Sequence, residues 1–332
     1  MHRWAGIGPY YAMFPTDFAF EVVRSYTEPG QAVLDPFAGR ASSIYAAAAL
    51  GRSGLGVEIN PVGWLYGRVK LAPAAKDKVL ARARELGTSA DLPQQETADA
   101  LPEFFRVCYA PRVLQYLLKA RSHLRWKDDT VDATLMAVIL VYLHGKEGGA
   151  LSNQMRQGKS MAPDYSIRWW RERAKLPPDI DPVSFLESRL AWRYAKGIPA
   201  LENSTVLSGD STTALKAVAG EVRAGRRPRF DLLFTSPPYC RVTNYHYDQW
   251  LRLWMLGGPQ HPTQEGRGPW ERRFDSEVAY KQLLDTVFTA CAEVMSEHAV
   301  VYVRTDARPL THDATLVLLC YKSVDDGGRR SS

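Results

Sequence analysis

The stretch Ala32-Val33-Leu34-Asp35-Pro36-Phe37-Ala38-Gly39 decides the fold class of this chain. Its apolar residues predict a buried strand, and the glycine that ends the following turn lets the backbone bend tightly. Ser42 to Leu50 then reads as an Ala-rich helix, which Gly51-Arg52-Ser53-Gly54 breaks. A second strand, Leu55-Gly56-Val57-Glu58, completes a βαβ unit. The pattern predicts an open α/β sheet, because parallel strands need a helical crossover.

The strand pattern returns in the last third of the chain. The predicted strands there are Thr205-Val206-Leu207, Phe230-Asp231-Leu232-Leu233-Phe234 and Ala299-Val300-Val301-Tyr302-Val303. Between Ala72 and Ala200, by contrast, apolar residues recur at helical spacing. We therefore predict a Rossmann-like α/β core interrupted by a mostly helical insert. The predicted boundaries are 1–72 and 201–324 for the core, 73–200 for the insert and 325–332 for a polar tail.

Positive charge is concentrated in the predicted insert. The chain has 42 Lys and Arg against 36 Asp and Glu, a formal net charge of +6. Residues 103–196 contain 16 basic and 10 acidic residues, which accounts for the same +6 (16 − 10). A basic block between near-neutral blocks is typical of a nucleic-acid-reading insert in a cofactor-binding scaffold. A solvated helical face is the alternative interpretation.

The spacing of the cysteines and the lengths of the apolar runs indicate the cellular compartment. Cys108, Cys240, Cys291 and Cys320 are widely separated, which argues against a zinc site or a disulfide framework and fits a reducing cytosol. The N-terminus has no continuous apolar leader segment, and the run from Ala133 to Leu143 is too short to span a bilayer. We expect a soluble cytoplasmic protein with no membrane partner and no metal site.

Acidic residues end three successive predicted strands. Asp35, Glu58 and Asp210 take these positions, and open α/β sheets bind ligands at the carboxyl ends of their strands. Glu58 is placed to accept hydrogen bonds from a ribose diol and Asp210 from an adenine amino group, while the helix after Gly39 offers free N–H groups to a carboxylate. Gly39-Arg40-Ala41-Ser42 lacks the second and third glycines of a dinucleotide fingerprint. A nucleotide-type cofactor other than a dinucleotide is therefore predicted.

Thr235-Ser236-Pro237-Pro238-Tyr239 follows the fourth predicted strand. Two prolines end the strand and stiffen the backbone, which aims the Ser236 hydroxyl and the Pro237 carbonyl at one point as acceptors. An amino group held by two acceptors has its lone pair directed toward an electrophile, so alignment supplies most of the catalysis. We predict four catalytic residues: Ser236, Pro237, Pro238 and Tyr239, whose ring offers a stacking face. A proline-terminated strand packed on a tyrosine is the structural alternative.

Asp35-Pro36-Phe37-Ala38-Gly39 together with Thr235-Ser236-Pro237-Pro238-Tyr239 resembles the amino-methyltransferases of bacterial restriction–modification systems. The serine of the second motif resembles the N4-cytosine branch, because adenine enzymes of the family more often have Asp or Asn there. Three further stretches match the family pattern: Tyr11-Ala12-Met13-Phe14-Pro15, Gly56-Val57-Glu58-Ile59-Asn60-Pro61 and Ser208-Gly209-Asp210. The resemblance covers residues 10–70 and 205–306.

The resemblance implies S-adenosylmethionine as the cofactor and methyl transfer to N4 of a cytosine that is flipped out of duplex DNA. It implies these cofactor-binding residues: Phe14, Pro15, Asp35, Phe37, Gly39, Glu58, Asn60, Asp210 and Thr235. Double-stranded DNA is the expected partner, and a restriction–modification system also allows a cognate restriction endonuclease. The implied setting is the cytoplasm of a bacterium or archaeon, with association to the nucleoid.

Two features depart from the family pattern. The family's turn continues Gly-Ser-Gly-Thr, whereas Arg40 here stands near the expected position of the methionine carboxylate, where it adds a salt bridge or obstructs the site. The family's sheet closes with an antiparallel hairpin after the last predicted strand, whereas 26 residues (332 − 306) follow Asp306 here. Two alternatives therefore stay open: an adenine-N6 or RNA methyltransferase, and a catalytically inactive DNA-binding protein on this scaffold.

The insert supplies the predicted DNA contacts. Residues 151–160 combine side chains that read base edges with side chains that bind phosphate. The predicted DNA-binding residues are Asn153, Gln154, Arg156 and Lys159 from this stretch and Arg168 from the helical stretch after it.

Three other features of the sequence have structural interpretations. The pair Trp169-Trp170 is expected to pack in a core on an amphipathic helix. His144 before Gly145 is expected to end a helix rather than act as a base. Cys240 is expected to be a passive small residue, because the C5-cytosine enzymes use a Pro-Cys nucleophile and Tyr239 intervenes here.

Overall fold

The computed structural model describes residues 3–9, 14–88, 98–156, 160–199, 201–240, 245–262 and 276–305, together with residues 308, 311, 312 and 315. The chain divides into two compact units. Unit 1 comprises residues 1–12, 68–200 and 246–264, and unit 2 comprises residues 13–67, 201–245 and 265–332. Of the features named above, these lie outside the described residues: Tyr11-Ala12-Met13, Lys159, Asp306, Cys320 and the tail at 325–332.

Unit 2 contains a parallel sheet. Its strands are β1 (Ala32–Asp35), β2 (Ser53–Glu58), β3 (Ser204–Ser208), β4 (Phe230–Thr235) and β5 (Met295–Val303). Within the described residues they form one sheet in the order β3-β2-β1-β4-β5, and all neighbouring pairs are parallel. The strand order reverses between β1 and β4, and in open α/β sheets such a reversal forms the crevice in which ligands bind. The sheet confirms the predicted Rossmann-like α/β core.

Helices cover both faces of this sheet. Those of unit 2 are α1 (Thr16–Tyr26), α2 (Ser42–Ala49), most of α3 (Pro61–Leu71), α10 (Ser211–Arg223) and α13 (Glu277–Ala292). Successive side chains of a strand point to opposite faces, so Val33 packs with α1 and α2 while Leu34 packs with α10 and α13. The same alternation divides Leu232 and Leu233 of β4 between the two faces. The two central strands are therefore buried on both sides.

Helix α2 lies unusually close to β2, and two glycines permit this. A Cβ atom added at Gly56 would lie 2.9 Å from Cβ of Ala38 and 3.0 Å from Cγ1 of Ile44. A Cβ atom added at Gly54 would lie 2.9 Å from Cγ2 of Ile44. All three separations are shorter than the optimum for carbon–carbon contacts, which lies near 3.5–4.0 Å, so even a methyl group has no room.

Strand β5 begins earlier than the sequence predicts. Its first residues, Met295-Ser296-Glu297-His298, are mostly polar and carry no strand signal, so the predicted strand starts at Ala299. The structure extends the strand because Met295 pairs with Phe230 of β4, and next to this pair the Ser296 hydroxyl donates to Oδ1 of Asp231 at 3.1 Å. The pairing of β4 with β5 is also irregular between Phe230 and Leu232.

Unit 1 is helical in its described residues. Its helices are α4 (Lys76–Thr88), α5 (Glu103–Cys108), α6 (Pro111–His123), α7 (Thr130–Tyr142), α8 (Pro163–Glu172), α9 (Pro182–Tyr194), α11 (Tyr245–Asp248) and α12 (Trp250–Met255), with a 3-10 turn at Ala98–Ala100. Helix α7 is buried from Asp132 to Val141, so the apolar run of the sequence is a core helix. None of the described helices is both long and apolar enough to cross a membrane.

An aromatic cluster joins α5 to α12 within unit 1. The rings of Phe104 and Trp250 are 5.0 Å apart, and those of Phe105 and Trp254 are 4.4 Å apart. All four side chains are buried. Large aromatic surfaces packed in this way dominate the stability of a core.

Candidate active site

Asp35 and Thr235 end the two central strands, β1 and β4, and are joined by a hydrogen bond. The Thr235 hydroxyl donates to Oδ1 of Asp35 at 2.6 Å, and the backbone N–H of Phe37 donates to the same oxygen at 3.1 Å. The hydroxyl of Ser43 in α2 donates to Oδ2. Asp35 is 1% exposed, so its carboxylate is enclosed by these protein donors.

Burial raises the pKa of Asp35 to about 6, and the bonds from Ser43, Thr235 and Phe37 act in the opposite direction. The cause is the loss of water around the charged form, which hydrogen bonds to the carboxylate partly offset. The group therefore stays ionised at neutral pH and becomes protonated in mild acid.

Glu58 at the end of β2 shapes the turn that follows β1. Its Oε2 accepts from the N–H of Gly39 at 2.6 Å, and its Oε1 accepts from the N–H of Asn60 at 2.8 Å. Gly39 has φ of 54°, in the left-handed region that glycine adopts without strain. The carboxylate predicted to bind a ribose also holds the backbone of the turn between β1 and α2, residues 36–41, which we call the cofactor turn.

Within the described residues, no side chain caps the N-terminus of α2. Ala41 precedes it in the left-handed conformation with no side-chain cap, and no acidic residue lies in the first turn. Ser42 is 4% exposed, and its Oγ has no hydrogen-bond partner in the described part of the chain. Arg40 in the same turn is also buried, and burial lowers the pKa of its guanidinium to about 10. Free N–H groups, a hydroxyl and a cation at one helix end favour an anion.

Asn60 and Asp210 follow β2 and β3. Oδ1 of Asn60 accepts from the N–H of Val62 at 2.9 Å, while Nδ2 is buried and has no partner among the described residues. Oδ1 of Asp210 accepts from the N–H and the hydroxyl of Thr212, at 2.9 and 2.8 Å, and so caps α10. The next residue, Ser211, donates its hydroxyl to the carbonyl of Pro36.

The residues predicted to be catalytic leave β4 directly after Thr235. Ser236 and Tyr239 are half-buried, and the Ser236 Oγ lies 3.4 Å from the Tyr239 hydroxyl. Pro237 is buried and Pro238 half-buried. Cys240 packs in the hydrophobic core beneath the sheet, which agrees with its interpretation as a passive residue.

The aromatic residues of the predicted cofactor set lie in the packing around the sheet. Phe14 is buried and stacks on Phe234 of β4, with ring centroids 4.5 Å apart. Pro15 precedes the first residue of α1. Phe37 is half-buried and packs against the core cluster on the opposite face of the sheet. Phe14 thus supports the end of β4.

The residues predicted to bind DNA belong to unit 1 and differ in exposure. Asn153 is 2% exposed, its Nδ2 donates to the carbonyls of Val107 and Lys175 at 3.4 and 3.1 Å, and its Oδ1 accepts from the N–H of Gln154 at 2.8 Å. The prediction that Asn153 reads a base is not supported, because burial and these bonds occupy its amide. Arg156 is exposed and Gln154 is half-buried.

Helix α8 carries the last predicted DNA contact. Arg168 is exposed and its guanidinium lies 6.0 Å from the ring of Tyr165. Arg173 lies 4.7 Å from the ring of half-buried Trp169, while Trp170 is buried and donates its Nε1–H to the carbonyl of Gln154 at 2.7 Å. Of the tryptophan pair, Trp170 belongs fully to the core and Trp169 only partly.

His144 follows the last turn of α7 and is fully buried. Its Nδ1 donates to the carbonyl of Arg156 at 2.7 Å, and its Nε2 lies 3.3 Å from the Ser160 hydroxyl. Burial, and then the charge of Arg252, hold the pKa of His144 well below its usual range. The side chain is therefore neutral and structural, as the sequence suggested.

Ser43 is a site residue that the sequence reasoning missed. The signal was weak, since a serine in the first turn of a helix is common and its partner precedes it by eight residues. No described group of His, Cys, Asp and Glu side chains has the arrangement of a metal site.

Comparison with known proteins adds to this geometry. Residues 2–62 match a family model described as DNA methylase (N6_N4_Mtase), which includes β1, the cofactor turn and Glu58. No curated protein matches the chain. The methylase match supports an amino-methyltransferase, of the class that modifies N4 or N6 amino groups.

Two solved structures of the rRNA methyltransferase aviRa from Streptomyces viridochromogenes are similar to the chain. The match to the structure at 2.4 Å has 14% sequence identity and a TM-score of 0.32, and it covers 91% of this chain and 78% of the aviRa chain. The structure at 1.5 Å has 15% identity and a TM-score of 0.33, with coverage of 93% and 80%. At these TM-scores the fold assignment rests on the strand order itself.

Proposed function

We propose that the chain is an S-adenosylmethionine-dependent methyltransferase that acts on N4 of cytosine in double-stranded DNA. The observation that carries the proposal is the crevice between β1 and β4. There the turn after Asp35 and the stretch that begins at Ser236 meet, joined by the 2.6 Å bond from Thr235 to Asp35. The DNA methylase match covers the first of these two segments.

The polar atoms around this crevice fit the proposed cofactor. A buried polar atom without a partner costs about 1–3 kcal/mol, which a ligand can offset by bonding to it. Ser42 Oγ and Asn60 Nδ2 are such atoms among the described residues. The uncapped end of α2 and the nearby Arg40 suit the methionine carboxylate, and the position of Glu58 at the carboxyl end of β2 suits a ribose diol. When bound, S-adenosylmethionine supplies an electrophilic methyl group.

The residues after β4 would hold the base. The Ser236 hydroxyl and the Pro237 carbonyl accept hydrogen bonds from the exocyclic amine, which turns its lone pair toward the methyl group. Tyr239 stacks on the base, which must leave the duplex to reach them. Two prolines keep this arrangement stiff.

Unit 1 would contact the DNA. Exposed Arg156 and Arg168 are its proposed phosphate contacts, and half-buried Gln154 is a proposed base contact. Tyr165 at 48% exposure offers a further stacking face beside Arg168. A restriction–modification setting with a cognate endonuclease is part of the same proposal.

The test is to incubate the protein with duplex DNA and S-adenosylmethionine, digest the DNA and identify the modified nucleoside by mass spectrometry. We expect N4-methylcytosine, and we expect Ser236→Ala to lower the rate by roughly 100-fold because one of the two acceptors is lost. Ser188→Ala in α9 is the matched control and keeps the wild-type rate.

The other outcomes decide between the alternatives. N6-methyladenine would replace the cytosine assignment, and the family model, whose name includes both chemistries, makes this the second candidate. Methylation of RNA but not of DNA would replace the substrate. Binding of S-adenosylmethionine in a calorimeter with no transfer to any nucleic acid would indicate an inactive scaffold.

A further inference from the structure

The carboxylate of Asp35 lies at the carboxyl ends of the strands, where a ligand would bind. Its hydrogen bonds nevertheless come from other groups of the protein. A carboxylate offers about four lone-pair positions. Phe37 and Thr235 donate to Oδ1, and Ser43 donates to Oδ2. Because the residue is 1% exposed, a cofactor hydroxyl or amine has little access to what remains.

These donors come from different parts of the chain. Phe37 belongs to the cofactor turn, Ser43 to α2, and Thr235 to β4 at a sequence separation of 200 residues. Asp35 therefore joins the cofactor turn and the uncapped helix to the residue that directly precedes Ser236. The thiol of Cys291 in α13 lies on the opposite face of the sheet. Burial, and then the negative charge of Asp35, raise the pKa of this thiol.

Thr235 is held from two sides. Its hydroxyl donates to Asp35, and its carbonyl accepts from the N–H of Arg304 at 2.9 Å. Two prolines begin two residues later and leave the backbone little freedom. The position of Thr235 consequently determines where the Ser236 hydroxyl and the Pro237 carbonyl lie.

We propose that Asp35 is a positioning residue that aligns the catalytic stretch with the cofactor turn through Thr235, rather than a ligand of the cofactor. The inference rests on the proposed function, since it assigns the two segments to the two halves of one reaction. A displacement of about 1 Å between two reacting groups is enough to lower a rate by about 100-fold, so one hydrogen bond at this point has a large effect.

The central variant is Thr235→Val, which removes the hydroxyl and keeps the shape of the side chain. We expect kcat to fall at least about 10-fold while KM for S-adenosylmethionine changes by less than about 3-fold, because the acceptor shifts and the cofactor contacts stay. Thr235→Ser should restore most of the rate, since it restores the donor.

Asp231 offers a matched control at the other end of the same strands. Its Oδ2 accepts from the N–H of Ala32 at 2.9 Å and its Oδ1 from Ser296, so it also ties β4 to β1. Asp231→Asn should lower the melting temperature and leave kcat unchanged. An equal loss of kcat in Asp231→Asn and Thr235→Val would overturn the proposal, because it would assign the effect to general stability.

A second measurement does not depend on catalysis. Binding of S-adenosylmethionine by calorimetry should give nearly the same Kd for wild type and Thr235→Val, while hydrogen exchange at the amides of Ser236 and Tyr239 should become faster in the variant. A loss of affinity of about 10-fold or more with unchanged exchange would make the pair a cofactor ligand and refute the inference. If Thr235→Val does not fold, Ser43→Ala removes a donor to the same carboxylate and is read by the same two measurements. A wild-type protein that methylates no nucleic acid refutes the proposed function, while the exchange experiment still decides this inference.

Discussion

Two regions with several buried polar groups, the carboxyl edge of the sheet in unit 2 and the described residues of the segment 144–160 in unit 1, differ in how those groups are satisfied. At the sheet edge, Ser42 Oγ and Asn60 Nδ2 have no partner among the described residues, and the buried acid Asp35 is ionised at neutral pH. In the segment, the Asn153 amide is bonded to backbone, and His144 is neutral and bonded at both nitrogens.

The difference teaches how to separate a binding site from a structural polar core. Buried groups that are all paired hold a fold together and leave nothing for a ligand. Buried donors without a partner in the described residues, beside a helix end without a side-chain cap, cost free energy that a bound ligand can offset. By this criterion we propose the carboxyl edge of the sheet as the site, whereas Asn153 is buried and bonded to backbone in the framework of unit 1.

The largest expected effect is a pH response of opposite sign in the two regions. Asp35 has a folded pKa of about 6, above its ordinary value, so its ionised form is disfavoured by about 3 kcal/mol in the native state. Stability from this group is present below its ordinary pKa and is lost as pH rises through about 6. His144 has a lowered folded pKa, so its contribution is lost as pH falls below its ordinary value of about 6.5.

Urea unfolding of wild type, Asp35→Asn and His144→Gln between neutral pH and mild acid measures these responses. Acidification protonates Asp35 and thereby adds stability, so Asp35→Asn should lack this gain. Acidification also removes the stability that neutral His144 contributes, so His144→Gln should lack this loss. Identical pH dependence in all three proteins would remove the distinction between the two regions.

The next effect concerns Arg40. A charge-assisted hydrogen bond to the methionine carboxylate would contribute about 1.5–3 kcal/mol, so Arg40→Met should weaken binding of S-adenosylmethionine by about 10–100-fold. Decarboxylated S-adenosylmethionine is the matched ligand, and its affinity should be nearly equal for the two proteins. Calorimetry of both proteins with both ligands measures the interaction energy between the Arg40 guanidinium and the ligand carboxylate. Tighter binding of S-adenosylmethionine by Arg40→Met would mean that the arginine obstructs the site.

A pair of asparagine variants compares the two regions directly. Asn60→Ser keeps an acceptor for the N–H of Val62 and removes the unpaired donor, so it should weaken cofactor binding by about 10-fold with little loss of stability. Asn153→Ser removes the donor to the backbone carbonyls of Val107 and Lys175 and should cost about 2 kcal/mol of unfolding free energy with no change in cofactor affinity. Calorimetry and urea unfolding are applied to both. An exchange of the two phenotypes would reverse the assignment of site and framework.

The smallest effect is expected on the surface of unit 1. Arg168→Ala removes one proposed phosphate contact and should weaken DNA binding only a few-fold, with the slope of log K against log salt reduced by about 1. Arg223→Ala in α10 removes an exposed arginine of unit 2 and serves as the control. Fluorescence anisotropy with labelled duplex DNA over a series of salt concentrations gives both values. An unchanged slope for Arg168→Ala would exclude α8 from the interface.

The strand–turn–helix after Ala32 was predictable because its signals are local: apolar residues, a glycine turn and an Ala-rich helix lie next to one another. The bond from Thr235 to Asp35 was not, since it joins residues 200 positions apart that only the strand order brings together. The burial of Asn153 was not predictable for a related reason, because it depends on α5 and on residues beyond α8 that no local pattern includes. The early start of β5 was hidden by its polar residues, of which Ser296 bonds to Asp231 of β4.

The two glycines of β2 set the height of α2 above the sheet. Replacing Gly56 with alanine would place a methyl group 2.9 Å from Ala38 and 3.0 Å from Ile44, so the helix would have to lift. Its uncapped N-terminus would move with it, and the Ser43 hydroxyl would draw away from Asp35. Gly56, whose side chain is a single hydrogen atom, would thus control the distance between the methyl donor and the target amine. It need not contact either of these two substrates.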